Sequence, residues 1–175
     1  MRSTHSLAAV LFGTLIAIGS AEAQCSSNTG SCNTTNTASL TIGALVKLGM
    51  SSTTTSLTAP TADQVDVGAT IADLGPTFTI KANRSWTMNI KSGNATNWTS
   101  TGGVKPIGDL TWSNAVAGTY AAITASDAVF TSGGTSTNGT AAAAFFKTNY
   151  PAGFTNTANA PGTYSLPIIF TLTAP

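Results

Sequence analysis

Pro76-Thr-Phe-Thr-Ile-Lys-Ala-Asn-Arg-Ser-Trp-Thr-Met-Asn-Ile90 is the stretch that decides the fold. Phe78, Ile80, Ala82, Arg84, Trp86, Met88 and Ile90 share one parity and alternate with polar residues, the period of two that a strand with one buried face requires. Asn83-Arg84 interrupts the row and predicts a bend or bulge. Trp86, which follows Phe78 and Ile80 in this row, reads as a core residue, as does Trp112 beside Leu110.

Outward from this stretch the same pattern recurs. Leu40, Ile42, Ala44, Val46, Leu48 and Met50 alternate and predict a first strand over 38–50. Asp63 to Gly68 reads as a loop or short edge strand. Further strands are expected at 109–113, 119–124, 128–132, 141–148 and 163–173. Thr-rich composition with scattered Val, Ile and Phe, and few Glu, Lys, Arg or Gln, favours strands over helices. Seven or eight short strands in one domain, 38–175, predict an all-β, immunoglobulin-like two-sheet sandwich, with a closed barrel as the alternative.

The N-terminus reads as an export signal over 1–23. Arg2 supplies the positive start, Leu7 to Gly19 the apolar run, and Ala21-Glu22-Ala23 the small residues at a cleavage site. No later stretch has the roughly 20 apolar residues of a membrane span, so the product is expected to be secreted and extracellular, either soluble or attached at the cell surface. Residues 24–37 form a Ser/Thr/Asn-rich tail with little to bury, expected to be flexible. Its two cysteines, Cys25 and Cys32, suit a local disulfide in an oxidising compartment, with pairing between chains as the alternative.

Chemistry is sparsely provided for. After Ala23 the chain has no histidine and no glutamate, so the usual acid, base and ligand side chains are missing. No enzyme, cofactor or metal site is expected. Asp63, Asp66 and Asp73 could offer oxygen ligands to calcium, but their spacing does not match an EF-hand loop and turn aspartates commonly bond their own backbone. A formal net charge of +1 gives no counterion-release term for nucleic acid. The candidate surface contacts are Trp98, in a polar stretch without an apolar partner at strand spacing, and Tyr150 before Pro151. Trp98 folded back onto the domain is the competing reading.

The last strand, Tyr164-Ser-Leu-Pro-Ile-Ile-Phe-Thr-Leu-Thr-Ala-Pro175, resembles the C-terminal motif of WxL-type bacterial cell-surface domains, with Trp86-Thr-Met88 in the place of the upstream Trp-x-Leu. Met88 stands where leucine is usual and Phe170 where tryptophan is typical. Tyr164, Phe170 and Leu172 carry the match, and their alternation reads as core packing. The resemblance implies an exported sandwich held non-covalently at the envelope, with cell-wall glycan as partner. The Pro-Gly-Thr-Tyr start of this strand is also similar to spore-coat U and fimbrial-subunit domains, which implies surface polymers of neighbouring copies. The leading expectation is therefore a non-catalytic structural or adhesive surface protein. The alternative is a filament, pilus or coat subunit that donates residues 38–50 to a neighbour's sheet edge.

Overall fold

A computed structural model describes residues 25–175; the signal reading over 1–23 lies outside them. The chain divides into two units, Met1–Thr41 and Ile42–Pro175. In the described part of the first, a disulfide joins Cys25 to Cys32, so the pairing lies within one chain. The Ser27 and Thr29 side chains hydrogen-bond inside that loop, and residues 25–41 contain no helix or strand.

The second unit is all-β. The central stretch forms two strands, β2 (Ala69–Ala82) and β3 (Trp86–Ser92). The predicted bend at Asn83-Arg84 is where the chain leaves one sheet and enters the other. The inward Trp86 lies four positions after the inward Ala82, so parity survives the crossing and both strands turn their apolar row to the interior. Arg84, on that parity but at the bend, stays exposed.

One antiparallel sheet has five strands in the order β1-β2-β8-β5-β6, adding β1 (Val46–Met50), β5 (Leu110–Ser113), β6 (Ala121–Ala122) and β8 (Thr137–Tyr150). The other has three strands, β10-β3-β7, with β7 (Ala128–Gly133) and β10 (Ile168–Thr173). A two-stranded ladder pairs β4 (Thr99–Ser100) with β9 (Tyr164–Ser165). The count of ten exceeds the expected seven or eight because β4, β6 and β9 are two-residue pieces.

The two larger sheets share one core. Phe78 of β2 meets Phe130 of β7 edge-on at 5.7 Å between ring centroids and Phe170 of β10 at 4.6 Å, arrangements that favour aromatic pairs beyond area burial alone. Trp86 lies over Gly133, where an added Cβ would sit 2.6 Å from the indole, so that position of β7 has no room for a side chain. Trp112 is buried against Phe130, as its parity predicts.

Two expectations need correction. The predicted strand over 38–50 is a strand only from Val46 to Met50. Val46 pairs with Ala82, the last residue of β2, and beyond that pair one backbone bond, from the Asn83 N–H to the Leu45 carbonyl at 3.1 Å, ends the contact. Asn83 closes the end: its side chain donates to the Gly43 carbonyl at 2.9 Å and accepts from the Leu45 N–H at 2.8 Å. The segment expected as a loop or edge strand at 63–68 contains a short helix, α1 (Ala62–Val67). A capping box starts it: the Thr61 hydroxyl accepts from the Gln64 N–H, and the Gln64 side chain accepts from the Thr61 N–H.

Candidate functional site

The two larger sheets do not close along their whole length. Among the described residues β10 is an edge strand, hydrogen-bonded to β3 only. Its inward residues Ile168, Phe170 and Leu172 are half-buried, whereas the inward row of β3 is fully buried. An open groove of about 1070 Å³ lies between β10 and the inner face of β8. On β8 it runs from Phe146 past Thr148 to Tyr150, two inward steps or about 13 Å. Met50, Pro76 and Phe170 line its apolar end, and residues 52–57 form part of its wall.

That wall is tethered by a small polar relay. Asp73 of β2 accepts from the Thr58 N–H at 3.1 Å and from the Thr58 hydroxyl at 2.6 Å. The Tyr150 hydroxyl donates to the Thr58 carbonyl at 2.9 Å. Burial, and secondarily the Asp73 charge, push the Tyr150 phenol above its usual range.

The far end of the groove is polar and aromatic. Lys105, only 3% exposed, donates to Asp109 Oδ2 at 3.2 Å and to the Asn149 carbonyl at 2.7 Å, with its ammonium 4.5 Å from the Tyr150 ring centroid. Burial lowers its pKa, and the Asp109 charge and hydrogen bond oppose that shift. With two hydrogen bonds and the Tyr150 ring against its ammonium, Lys105 holds β8 and the Asp109 turn together. Tyr164 donates from its hydroxyl to the Ala160 carbonyl at 2.6 Å and accepts from the Gly103 N–H at 3.0 Å.

Two buried polar atoms here have no partner. The hydroxyl of Thr148, a residue 1% exposed on the inward row of β8, bonds nothing, and neither does Asn159 Oδ1. The Asn159 amide nitrogen is committed to the Pro151 and Gly153 carbonyls, at 2.7 and 3.1 Å, which fixes the orphaned oxygen in place.

The sequence candidates converge on this groove in altered form. Trp98 is 8% exposed, so the surface-contact reading is corrected: its indole N–H donates to the Pro106 carbonyl at 3.0 Å, and the ring is folded into the domain. Tyr150 is half-buried. Both nonetheless line the same groove. Of the residues that carry the family resemblance, Trp86 and Met88 are fully buried, and Tyr164, Phe170 and Leu172 are half-buried. Leu172 stands opposite Met88 in the β10–β3 ladder, so the two halves of the motif are adjacent strands.

The aspartates do not gather. Asp73 serves Thr58, Asp109 serves Lys105, and Asp127 pairs with Lys91 at 3.3 Å near the surface. Among the described residues no three His, Cys, Asp or Glu side chains are grouped so as to hold a metal ion, and no helix is long and apolar enough to cross a membrane. Lys105, Thr148 and Asn159 escaped sequence reading. Only Thr148 carried a signal, its parity with Ala144 and Phe146.

No protein-family model matches this chain, and no curated protein matches it.

Proposed function

We propose that this protein is a non-catalytic structural subunit of an extracellular assembly, in which the leader of one copy completes the sandwich of the next. The observation that carries this reading is the free edge of β10 beside an open apolar groove. An unpaired edge with half-covered apolar side chains is a template for another strand.

The leader has the matching pattern. Ala38, Leu40 and Ile42 share one parity, and Thr35, Thr37, Ser39 and Thr41 the other. Leu40 is 84% exposed and Ile42 66%. Because Val46 to Met50 already pairs with β2 of its own chain and Asn83 holds Gly43 and Leu45, the donated segment ends at about Ile42, short of the 38–50 span expected from periodicity. Burying Leu40 and Ile42 would contribute about 1.5–3 kcal/mol each. A leader without those two side chains loses that apolar driving force. The intrachain disulfide and the signal-like N-terminus support an oxidising, extracytoplasmic setting.

The test is sedimentation and negative-stain microscopy of residues 24–175 across a concentration series, beside a Leu40→Asp/Ile42→Asp variant. The expected result is multimers that resist mild denaturant in the parent and a folded monomer in the variant. A folded parent that stays monomeric at every concentration overturns the proposal.

A further inference from the structure

We infer that neighbouring copies meet pole to pole, with the basic end of one domain, Lys47, Lys81 and Arg84, seated on Asp63 and Asp66 of helix α1 in the next. This rests on the strand-donation reading and adds the surfaces that come together once the leader docks.

Few side chains of the sandwich are charged, and several of those are used inside the fold. Asp127 takes Lys91 and Asp109 takes Lys105. The Lys147 ammonium lies 4.0 Å from the Tyr120 ring centroid, and Asp73 holds Thr58. The rest, Lys47, Lys81, Arg84, Asp63 and Asp66, are exposed, have no ion-pair partner among the described residues, and are sorted by sign. Lys81 stands at the end of β2 and Arg84 just beyond it, whereas Asp63 and Asp66 belong to α1, just before β2 begins. β2 has 14 residues, so about 40 Å of strand separates the two groups. That is several Debye lengths at physiological salt, and the two groups do not attract each other within one molecule.

Within a single copy these charges are also badly placed. Lys47 and Lys81 are direct cross-strand partners, and like charges in that position destabilise a ladder. Asp66 sits in the last turn of α1, where the helix dipole favours a cation. Only Asp63, in the first turn, is explained by the helix itself. Local rules broken without a gain inside the fold point to a partner outside it. Both ends also expose apolar side chains. Leu45 and Val46 flank the lysines, and a hollow of about 290 Å³ opens there. Val67 and Phe154 flank the aspartates, where the Gly153 N–H bonds the Val65 carbonyl and brings that loop against α1.

The acidic end is continuous with the groove, because Thr61, Ala62 and Val65 of the α1 region line it. The leader joins its own domain at Gly43 and Leu45, which Asn83 holds at the basic end. β10 starts at Ile168 and finishes at Thr173 opposite Thr87, beside the basic end. A leader lying antiparallel to β10 therefore leaves the groove on the α1 side. From Ile42 to Leu45 the chain spans about 10 Å, which keeps the donor's basic end at that mouth. The opposite direction sets the donor's lysines beside the acceptor's lysines and is disfavoured by repulsion.

The experiment is sedimentation of residues 24–175 over a series of concentrations and salt strengths. It compares the parent, Lys47→Glu/Lys81→Glu, Asp63→Lys/Asp66→Lys and a chain carrying both reversals. Each reversal alone is expected to raise the concentration for half-assembly about tenfold at low salt, as attraction across the contact becomes repulsion. The chain with both reversals should return to within about threefold of the parent, because the poles attract again with signs exchanged. Raising salt from about 0.05 M to about 0.5 M should weaken the parent and narrow these gaps. Unchanged assembly in both reversals, with assembly still lost in Leu40→Asp/Ile42→Asp, overturns the pole contact and leaves strand donation standing. A parent that never assembles overturns both. A Lys47→Glu/Lys81→Glu chain that assembles like the parent but no longer binds heparin assigns the basic end to an anionic polymer and overturns the contact. If Asp63→Lys/Asp66→Lys does not fold, the lysine reversal and the salt series still decide.

Discussion

β3 and β10 lie side by side in one sheet, and both carry an apolar residue at every second position, yet they are covered very differently. Trp86, Met88 and Ile90 of β3 are sealed by β10 on one side, β7 on the other and the facing sheet. Ile168, Phe170 and Leu172 of β10 present the same kind of row and remain half-buried, because nothing pairs with the outer edge among the described residues. Equal patterning therefore does not imply equal burial. What separates the two strands is a second neighbour, which β3 has and β10 lacks among the described residues.

The largest expected effect tests the covered strand. Met88→Ala removes a fully buried side chain between the sheets and should cost about 2–5 kcal/mol in urea unfolding of the monomeric variant. The matching truncation on the open strand, Ile168→Ala, should cost the same monomer about 1–2 kcal/mol, since part of that side chain already faces solvent. If the comparison is sound, the Ile168→Ala cost rises toward the Met88→Ala value once multimers form. Equal losses in the monomer would mean that β10 is covered without a partner. Gly133→Ala sharpens the point from the other side: a methyl 2.6 Å from the Trp86 indole should destabilise by about 1–3 kcal/mol, as overpacking does in a closed region.

The smallest effect concerns the polar end. The Tyr150 phenol is held above its usual range by burial and by Asp73, so the stability it contributes is present below about pH 10 and is lost as pH rises through its raised value. Lys105 acts oppositely, because its lowered value makes stability rise with pH up to the ordinary lysine range. Tyr150→Phe removes the first slope and keeps the second. Its urea-unfolding profile between pH 9 and 11 should fall less steeply than that of the parent. Parallel profiles would show the phenol to be freely hydrated.

The difference between β3 and β10 also marks what the sequence could convey. The row from Phe78 to Ile90 was legible because period-two patterning is local and survives the crossing at Asn83-Arg84. The same pattern over-extended the first strand: Leu40 and Ile42 alternate correctly, but a strand needs a ladder, and β2 ends at Ala82. The helix at Ala62–Val67 had a local sign in Thr61 and Gln64, hidden by the aspartates and Gly68 that favoured a loop. Trp98 looked exposed because its partner, the Pro106 carbonyl, lies on the returning loop, where flanking residues say nothing about it. Lys105 is one lysine in a Gly-Gly-Val-Lys-Pro stretch, and only the folded chain brings it to Asp109, Asn149 and Tyr150.

The central claim is that β10 waits for a neighbour's leader, and amide hydrogen exchange along Ile168–Thr173 tests it most directly. The parent should show β10 amides slowing to the rate of the β3 amides as concentration rises, while the Leu40→Asp/Ile42→Asp variant keeps the outward-facing β10 amides in fast exchange at every concentration. Identical protection of β10 in parent and variant, at concentrations spanning the assembly range, would contradict it.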